Sequence, residues 1–197
     1  MSAMSAIYGI ANNNDLMWYR HDGRANGTPT WASGTGTKVG SGWTFDKVFA
    51  GDGAIYGIAA NGDLMWYRHD GRSDGTSIWA SGTGKKVGSG WTFSKVFADG
   101  DGVIYGIADN GDLMWYRHDG RGDGSPTWAS GTGKKVGSGW TFSKVFASGE
   151  GVIYGIANNN DLMWYRHDGR ANGTPTWASG TGKKVGSGWT FSRVFAG

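Results

Sequence analysis

Hydrophobic and polar positions alternate along the chain in short runs, and no window spaces apolar residues at a helical period. Phe93-Ser-Lys-Val-Phe-Ala98 alternates and is closed by the turn Asp99-Gly-Asp-Gly102. Val103-Ile-Tyr-Gly-Ile-Ala108 follows, and Asn110-Gly111 is a hairpin signal. Next come Leu113-Met-Trp-Tyr-Arg-His118, a polar loop from Asp119 to Pro126, and a fourth strand around Trp128-Ala-Ser130 and Lys134-Lys-Val136 that leads to Gly137-Ser-Gly-Trp140. The pattern predicts four strands, each more polar than the one before.

The same unit recurs. Ile-Tyr-Gly-Ile begins at Ile7, Ile55, Ile104 and Ile153, at spacings of 48, 49 and 49 residues. The block Asp-Leu-Met-Trp-Tyr-Arg-His-Asp-Gly-Arg is identical at Asp15 to Arg24, Asp63 to Arg72, Asp112 to Arg121 and Asp161 to Arg170. Four repeats, about 7–54, 55–103, 104–152 and 153–197, fill a single domain over 1–197. Repeats of this length without helix formers belong to β architectures. The polarity gradient favours an all-β propeller of four-stranded blades over a sandwich, since inner strands are buried on both faces and the outermost strand is wetted. The first repeat begins in the second strand of the unit, and Phe191-Ser-Arg-Val-Phe-Ala196 is a first strand. The C-terminal strand is therefore expected to complete the N-terminal blade, within one chain or between chains, and to cover an edge.

Composition narrows the function classes. The chain has 38 Gly, 12 Trp, no Cys, no Gln, a single Glu (Glu150) and four Leu in 197 residues, so an α-rich fold is excluded. Lacking Cys, it has no disulfide, thiolate nucleophile or Cys-ligated metal. With 19 Lys+Arg against 16 Asp+Glu, the net charge of +3 names no partner. No apolar run reaches the roughly 18 residues of a membrane span, and the first six residues lack the basic and apolar regions of a signal peptide. Membrane insertion is not expected, and the compartment stays undetermined. Aromatic residues at 14% and a mean hydropathy of -0.43 predict a core packed around rings rather than disorder.

Lys-Val-Gly-Ser-Gly-Trp-Thr-Phe, Lys-Val-Phe-Ala, a Gly turn and Ile-Tyr-Gly-Ile together resemble the tachylectin-2 family of lectins, across all four repeats. The resemblance implies four-stranded blades and binding of N-acetylglucosamine or N-acetylgalactosamine between adjacent blades. It also implies a pocket formed by the loop between the two outer strands and the connection from blade to blade. Here those segments are Asp22 to Trp31 with Gly40 to Trp43, Asp70 to Trp79 with Gly88 to Trp91, Asp119 to Trp128 with Gly137 to Trp140, and Asp168 to Trp177 with Gly186 to Trp189. The family's propeller has five blades where this chain has four repeats. That leaves four-blade closure, blade sharing between chains, or a truncated, engineered origin.

A sugar offers an apolar C–H face and hydroxyls, so its pocket needs an aromatic ring beside short polar groups and accessible backbone. The candidate ligands are Asp22, Arg24, Asn26, Trp31, Gly42 and Trp43, with Asp70, Arg72, Asp74, Trp79, Gly90 and Trp91 in the next copy. The third copy supplies Asp119, Arg121, Asp123, Trp128, Gly139 and Trp140, and the fourth Asp168, Arg170, Asn172, Trp177, Gly188 and Trp189. Trp18 and its copies, in mid-strand, are assigned to the core. Trp43 and its copies suit core and pocket equally. Asn26 and Asn172, each followed by Gly, suit a tight turn better than a ligand role, and with Thr28 and Thr174 they also spell glycosylation sequons.

Other motifs point to chemistry less well. His21 beside Asp22 resembles an acid–base pair, but neighbours in a strand face opposite ways, so His21, His69, His118 and His167 are assigned structural or ligand-contacting roles. Asp99 and Asp101 lie in a Gly turn spelled differently in each repeat, which disfavours a glycosidase or a calcium site. Ser81-Gly-Thr-Gly-Lys-Lys86 mimics a phosphate loop but leads into no helix. Lys85 and Lys86 form a basic rim interspersed with Asp, so nucleic acid is not an expected partner. The expectation is a non-enzymatic, multivalent lectin without cofactor or metal, with one shallow N-acetylhexosamine site per blade, and with self-association through blade or strand sharing left open. The alternative is an engineered assembly scaffold with incidental or no sugar binding.

Overall fold

The computed structural model describes residues 6–192 and Val194. Its strands form four antiparallel sheets. β1 (Ile7–Ile10), β2 (Leu16–Tyr19) and β3 (Thr37–Gly40) make the first, and β4 (Lys47–Gly51), β5 (Ala54–Ile58), β6 (Leu64–Arg68) and β7 (Lys85–Gly88) the second. β8 (Lys95–Gly100), β9 (Val103–Ile107), β10 (Leu113–Arg117) and β11 (Lys134–Gly137) make the third, and β12 (Lys144–Gly149), β13 (Val152–Ile156), β14 (Leu162–Arg166) and β15 (Lys183–Gly186) the fourth. Each sheet is a simple meander, and β4, β8 and β12 adjoin one another as the inner strands of successive blades. The fold is a four-bladed β-propeller, as the repeat predicts.

The polarity gradient maps onto this architecture. Every residue of β5 and β9 is buried, β6 and β10 alternate, and the outer strands β3, β7 and β11 bury only their Val. On the outer strands Lys38, Lys86, Lys135 and Lys184 each reach an Asp of the neighbouring strand's hairpin at 2.7 Å. These exposed pairs add little stability, but charge on an outer strand discourages edge-to-edge pairing. The first sheet has three strands among the described residues, with β1 at its inner edge. Of the expected closing strand, Arg193, Phe195 and Ala196 lie outside the described residues, while Phe191, Ser192 and Val194 are in no strand.

The blades are locked together by one interface used three times. Trp18, Trp66 and Trp115, all 0% exposed, each donate Nε1–H to a main-chain carbonyl of the next blade: Arg72 at 2.9 Å, Arg121 at 2.9 Å and Arg170 at 2.8 Å. Against each indole lies a glycine of that next blade, Gly75, Gly124 or Gly173, where any Cβ would run into the six-membered ring. Each also has a positive φ, so glycine is required there twice over. Arg20, Arg68 and Arg117 donate to the carbonyls of Ser73, Gly122 and Ala171 in the same loops. In return, Trp79, Trp128 and Trp177 donate Nε1–H, each at 2.9 Å, to Val39, Val87 and Val136 of the preceding blade.

A tyrosine–histidine link completes the interface. The hydroxyls of Tyr8, Tyr56 and Tyr105 meet Nδ1 of His69, His118 and His167 at 2.8, 2.8 and 2.7 Å. The other ring nitrogen of each histidine faces a carbonyl of its own loop, at Thr76, Ser125 or Thr174. A carbonyl only accepts, so Nε2 carries the proton and Nδ1 accepts from the tyrosine, which is the neutral imidazole. Burial depresses all three histidine pKa values and pushes that of Tyr8 up to about 12. These histidines are structural, and none engages the adjacent Asp.

A histidine held neutral in the fold binds its proton more readily once unfolded, so protonation favours the unfolded chain below the ordinary histidine pKa of roughly 6.5. The stability from these links is complete above that pH and is lost as the pH falls. The thermal midpoint is expected to drop between about pH 7.5 and 5.5. A flat profile over that window, followed by calorimetry, would contradict the buried neutral histidines.

Candidate functional site

At each formed junction the outer halves of two blades meet. In the first, the loop from Asp70 to Trp79 of the second blade lies on the outer strand of the first, held by Trp79 on the Val39 carbonyl and by Ser77 Oγ donating to Lys38 O at 3.4 Å. The loop opens with a 3₁₀ turn, Asp70–Ser73, and a bridge between His69 and Trp79 closes it. The connection that leaves the first blade, Gly40 to Phe45, runs alongside. Trp43 packs on Tyr67 with ring centroids 4.7 Å apart, and on Phe45 and Trp79 at 5.7 and 6.1 Å. Trp91 with Tyr116, Phe93 and Trp128 repeats the cluster, as does Trp140 with Tyr165, Phe142 and Trp177.

The pairing corrects an expectation. The resemblance placed each loop with the connection that follows it in the same repeat, whereas the structure joins it to the connection that precedes it. Trp43 therefore meets Trp79, and Trp31 packs on His21 and Tyr19 of its own blade. The physical reason is that a connection crosses from the outside of one blade to the inside of the next, and its aromatic residues land on the blade that it enters.

Trp43, Trp91 and Trp140 are 5–6% exposed and belong to the junction core, while Trp79, Trp128 and Trp177 are half-buried. Beside them Gly42, Gly90 and Gly139 have φ of 72°, 73° and 74°, with no atom within 4 Å of where a Cβ would sit. Among the described residues the N–H groups of Ser41 and Gly42 have no acceptor, and the same holds for Ser89 with Gly90 and Ser138 with Gly139. A half-buried indole beside open backbone donors can take a flat, partly apolar ligand carrying a carbonyl or hydroxyls.

The polar candidates are largely engaged within their own loops. Asn26 and Asn172 accept from the N–H and hydroxyl of Thr28 and Thr174, Asp74 does the same with Thr76, and Asp123 accepts from Ser125 N–H. These are the tight turns anticipated for the Asn-Gly pairs. Asp22, Asp70, Asp119 and Asp168 pair with the arginine two positions earlier, Arg20, Arg68, Arg117 and Arg166, at 2.6, 2.8, 2.8 and 2.8 Å. Arg24 lies in the first 3₁₀ turn, and Arg72 donates to His69 O at 3.3 Å. Trp189 packs on Phe191, with Gly188 just before it. Sequence reasoning missed Tyr67, Phe45 and Ser77, whose part in the groove depends on contacts between blades.

A second constellation lies nearer the axis. A cavity of about 290 Å³ between the third and fourth blades brings Asp119, Arg121 and Arg170 together with Asp101, Arg117, Val103 and Ala171. Arg170 donates to Asp99 at 2.7 Å and Asp101 at 2.9 Å, and Arg121 lies 3.3 Å from Asp52. The turn residues Asp99 and Asp101 thus tie one blade to the next. Asp99 is buried, and although Gly151 N–H and Arg170 hold one oxygen, Oδ1 has no partner among the described residues. Burial outweighs these donors and raises its pKa.

The fold defines a propeller whose successive blades share aromatic clusters. The Tachylectin family model matches residues 1–86, the first blade and most of the second. Among solved structures, a fungal lectin from Aleuria aurantia, described as a six-bladed β-propeller with a novel fucose recognition mode, aligns with a TM-score of 0.49 and 18% identity. The alignment covers 93% of this chain and 60% of that lectin, so this chain spans well under two thirds of its length. No curated protein matches the chain.

Asp99→Asn leaves Arg170 with one carboxylate and is expected to cost about 1–3 kcal/mol, the range for a lost charged bond in a buried site. Urea denaturation checks this, and an unchanged midpoint would show that the pair does not bind the two blades together.

Proposed function

We propose that the protein is a non-enzymatic carbohydrate-binding protein whose sites are the grooves between adjacent blades, with N-acetylhexosamines as the ligand class. The observation that carries this reading is the aromatic cluster at each formed junction, where a half-buried Trp packs on the Trp of a connection whose two preceding backbone N–H groups have no acceptor among the described residues. The exposed part of the indole suits the C–H face of a pyranose stacked on the ring, and the free amides suit an acetamide carbonyl or ring hydroxyls. The Tachylectin match supports a lectin over other propeller functions.

Three grooves on one chain make multivalency the source of useful affinity. A single shallow site would bind with Kd on the order of 1 mM, and simultaneous engagement of several sites would raise avidity by roughly 10²–10⁴ on a dense glycan surface. The protein is expected to be retained on immobilised N-acetylglucosamine and released by free sugar, not by salt. Asn tolerates a left-handed backbone, so Gly42→Asn, Gly90→Asn and Gly139→Asn together put side chains over the open backbone without disturbing the fold. This triple variant should fold normally and lose retention. Retention that survives it would place binding elsewhere, and failure of the parent protein to bind would leave the scaffold reading.

A further inference from the structure

Four Asn-Gly pairs occur in the chain: Asn26-Gly27, Asn61-Gly62, Asn110-Gly111 and Asn172-Gly173. Asn is a thermolabile residue, and most so before Gly, where no side chain screens the next main-chain nitrogen from the Asn amide. The pairs differ in what covers that nitrogen. Gly62, Gly111 and Gly173 are buried, whereas Gly27 is exposed, as is every residue from Arg24 to Trp31.

Asn26 and Asn172 give the sharpest comparison, because residues 22–36 and 168–182 are identical and the intrinsic chemistry of the two pairs is therefore the same. In both, the following Thr donates its N–H and hydroxyl to Asn Oδ1, at 3.2 and 2.9 Å for Asn26 and at 3.1 and 3.0 Å for Asn172. These donors polarise Cγ and are placed to hold the negative charge that gathers on Oδ1 when Cγ is attacked. The loop of the fourth blade is clamped. Gly173 lies against the Trp115 indole, Arg117 donates to the Ala171 carbonyl, and Lys134 Nζ donates to the Asn172 carbonyl at 3.1 Å. In the first blade the Ala25 and Asn26 carbonyls accept no hydrogen bond among the described residues, and Gly27 N–H is tied only to Gly23 O, at 2.8 Å.

We propose that Asn26 is a site of spontaneous deamidation, and that the fold protects the other three pairs. Gly27 N gives its proton to a solvent base and attacks Asn26 Cγ. The N–Cγ bond forms, the Cγ–Nδ2 bond breaks, and Nδ2 leaves as ammonia. Water then opens the cyclic imide, at the side-chain carbonyl to give aspartate or at the main-chain carbonyl to give isoaspartate. One water is consumed, one ammonia is released, and no electron changes hands. Gly27 N–H must first leave Gly23 O, which an exposed turn allows at almost no cost, while the same step at Gly173 requires the loop to lift off Trp115.

Either product takes one unit from the net charge of +3. Aspartate already forms this turn at Asp74 and Asp123, so that product leaves the loop folded. Isoaspartate adds a main-chain carbon ahead of Gly27 N and displaces that nitrogen from Gly23 O. The loop borders none of the three formed junctions, and the inference does not rest on the sugar-binding reading.

The test holds the folded protein in warm, mildly alkaline buffer and follows the tryptic peptides 25–38, 48–68, 96–117 and 171–183, which carry one Asn-Gly pair each, by mass spectrometry, with the chain unfolded in urea as reference. In the folded protein Asn26 is expected to convert about tenfold or more faster than Asn172, and in urea at the same rate. Conversion of Asn172 as fast as Asn26 in the folded protein overturns the inference. So does an Asn26 that stays intact while the unfolded chain converts.

Discussion

The structure depends on an indole seated against a bare backbone turn. No blade is stable by its own hydrogen bonds, since a lone meander has two wet faces and too little apolar area to offset its ordering entropy. Trp18, Trp66 and Trp115 bury the face of one blade completely, and the Gly turns of Gly75, Gly124 and Gly173 let the next blade approach to contact. The Nε1–H bond to a main-chain carbonyl fixes the rotation of the ring, so the seat sets distance and angle together. Neutral histidine, Tyr–OH and Arg then satisfy the polar groups that this approach would strand.

Much of the blade was legible in the chain, and the reason is local. Four strands per repeat, their order and their polarity gradient follow from alternation and turn residues acting within about 50 residues, and Trp18 in mid-strand had no other reading than core. Asn26 also declared itself, because Asn-Gly followed by Thr is a turn whose side chain satisfies its own backbone. What could not be read was which loop meets which connection. Trp31, Trp79, Trp128 and Trp177 occur in matching contexts, as do Trp43, Trp91, Trp140 and Trp189, and sequence distance favours pairing within a repeat. The pairing is decided by where the connection crosses, a property of two packed blades.

Perfect repetition hides differences that the structure makes plain. His21 and His118 sit in identical decapeptides, yet one is half-buried and the other fully buried, because only one has a blade packed in front of it. Asp52 of the second blade's turn accepts from Gly102 N–H and faces Arg121 as Asp99 accepts from Gly151 N–H and faces Arg170, yet among the described carboxylates only Asp99 is buried. A residue's role in this molecule is therefore set by the junction in which it lies, and its letter context is a poor guide.

The junction also joins stability to function. On the sugar-binding reading, the half-buried Trp comes from the blade entered and the free amides from the connection left behind, so no blade owns a site. A ligand held by both sides stabilises the contact between them by mass action, in proportion to RT ln(1 + [L]/Kd), and a loosened junction weakens the ligand by the same coupling. With an affinity near the millimolar range, one free sugar adds little to any junction. A surface that engages several grooves at once adds the coupling at each of them, so the rigidity of the propeller and its avidity rise together.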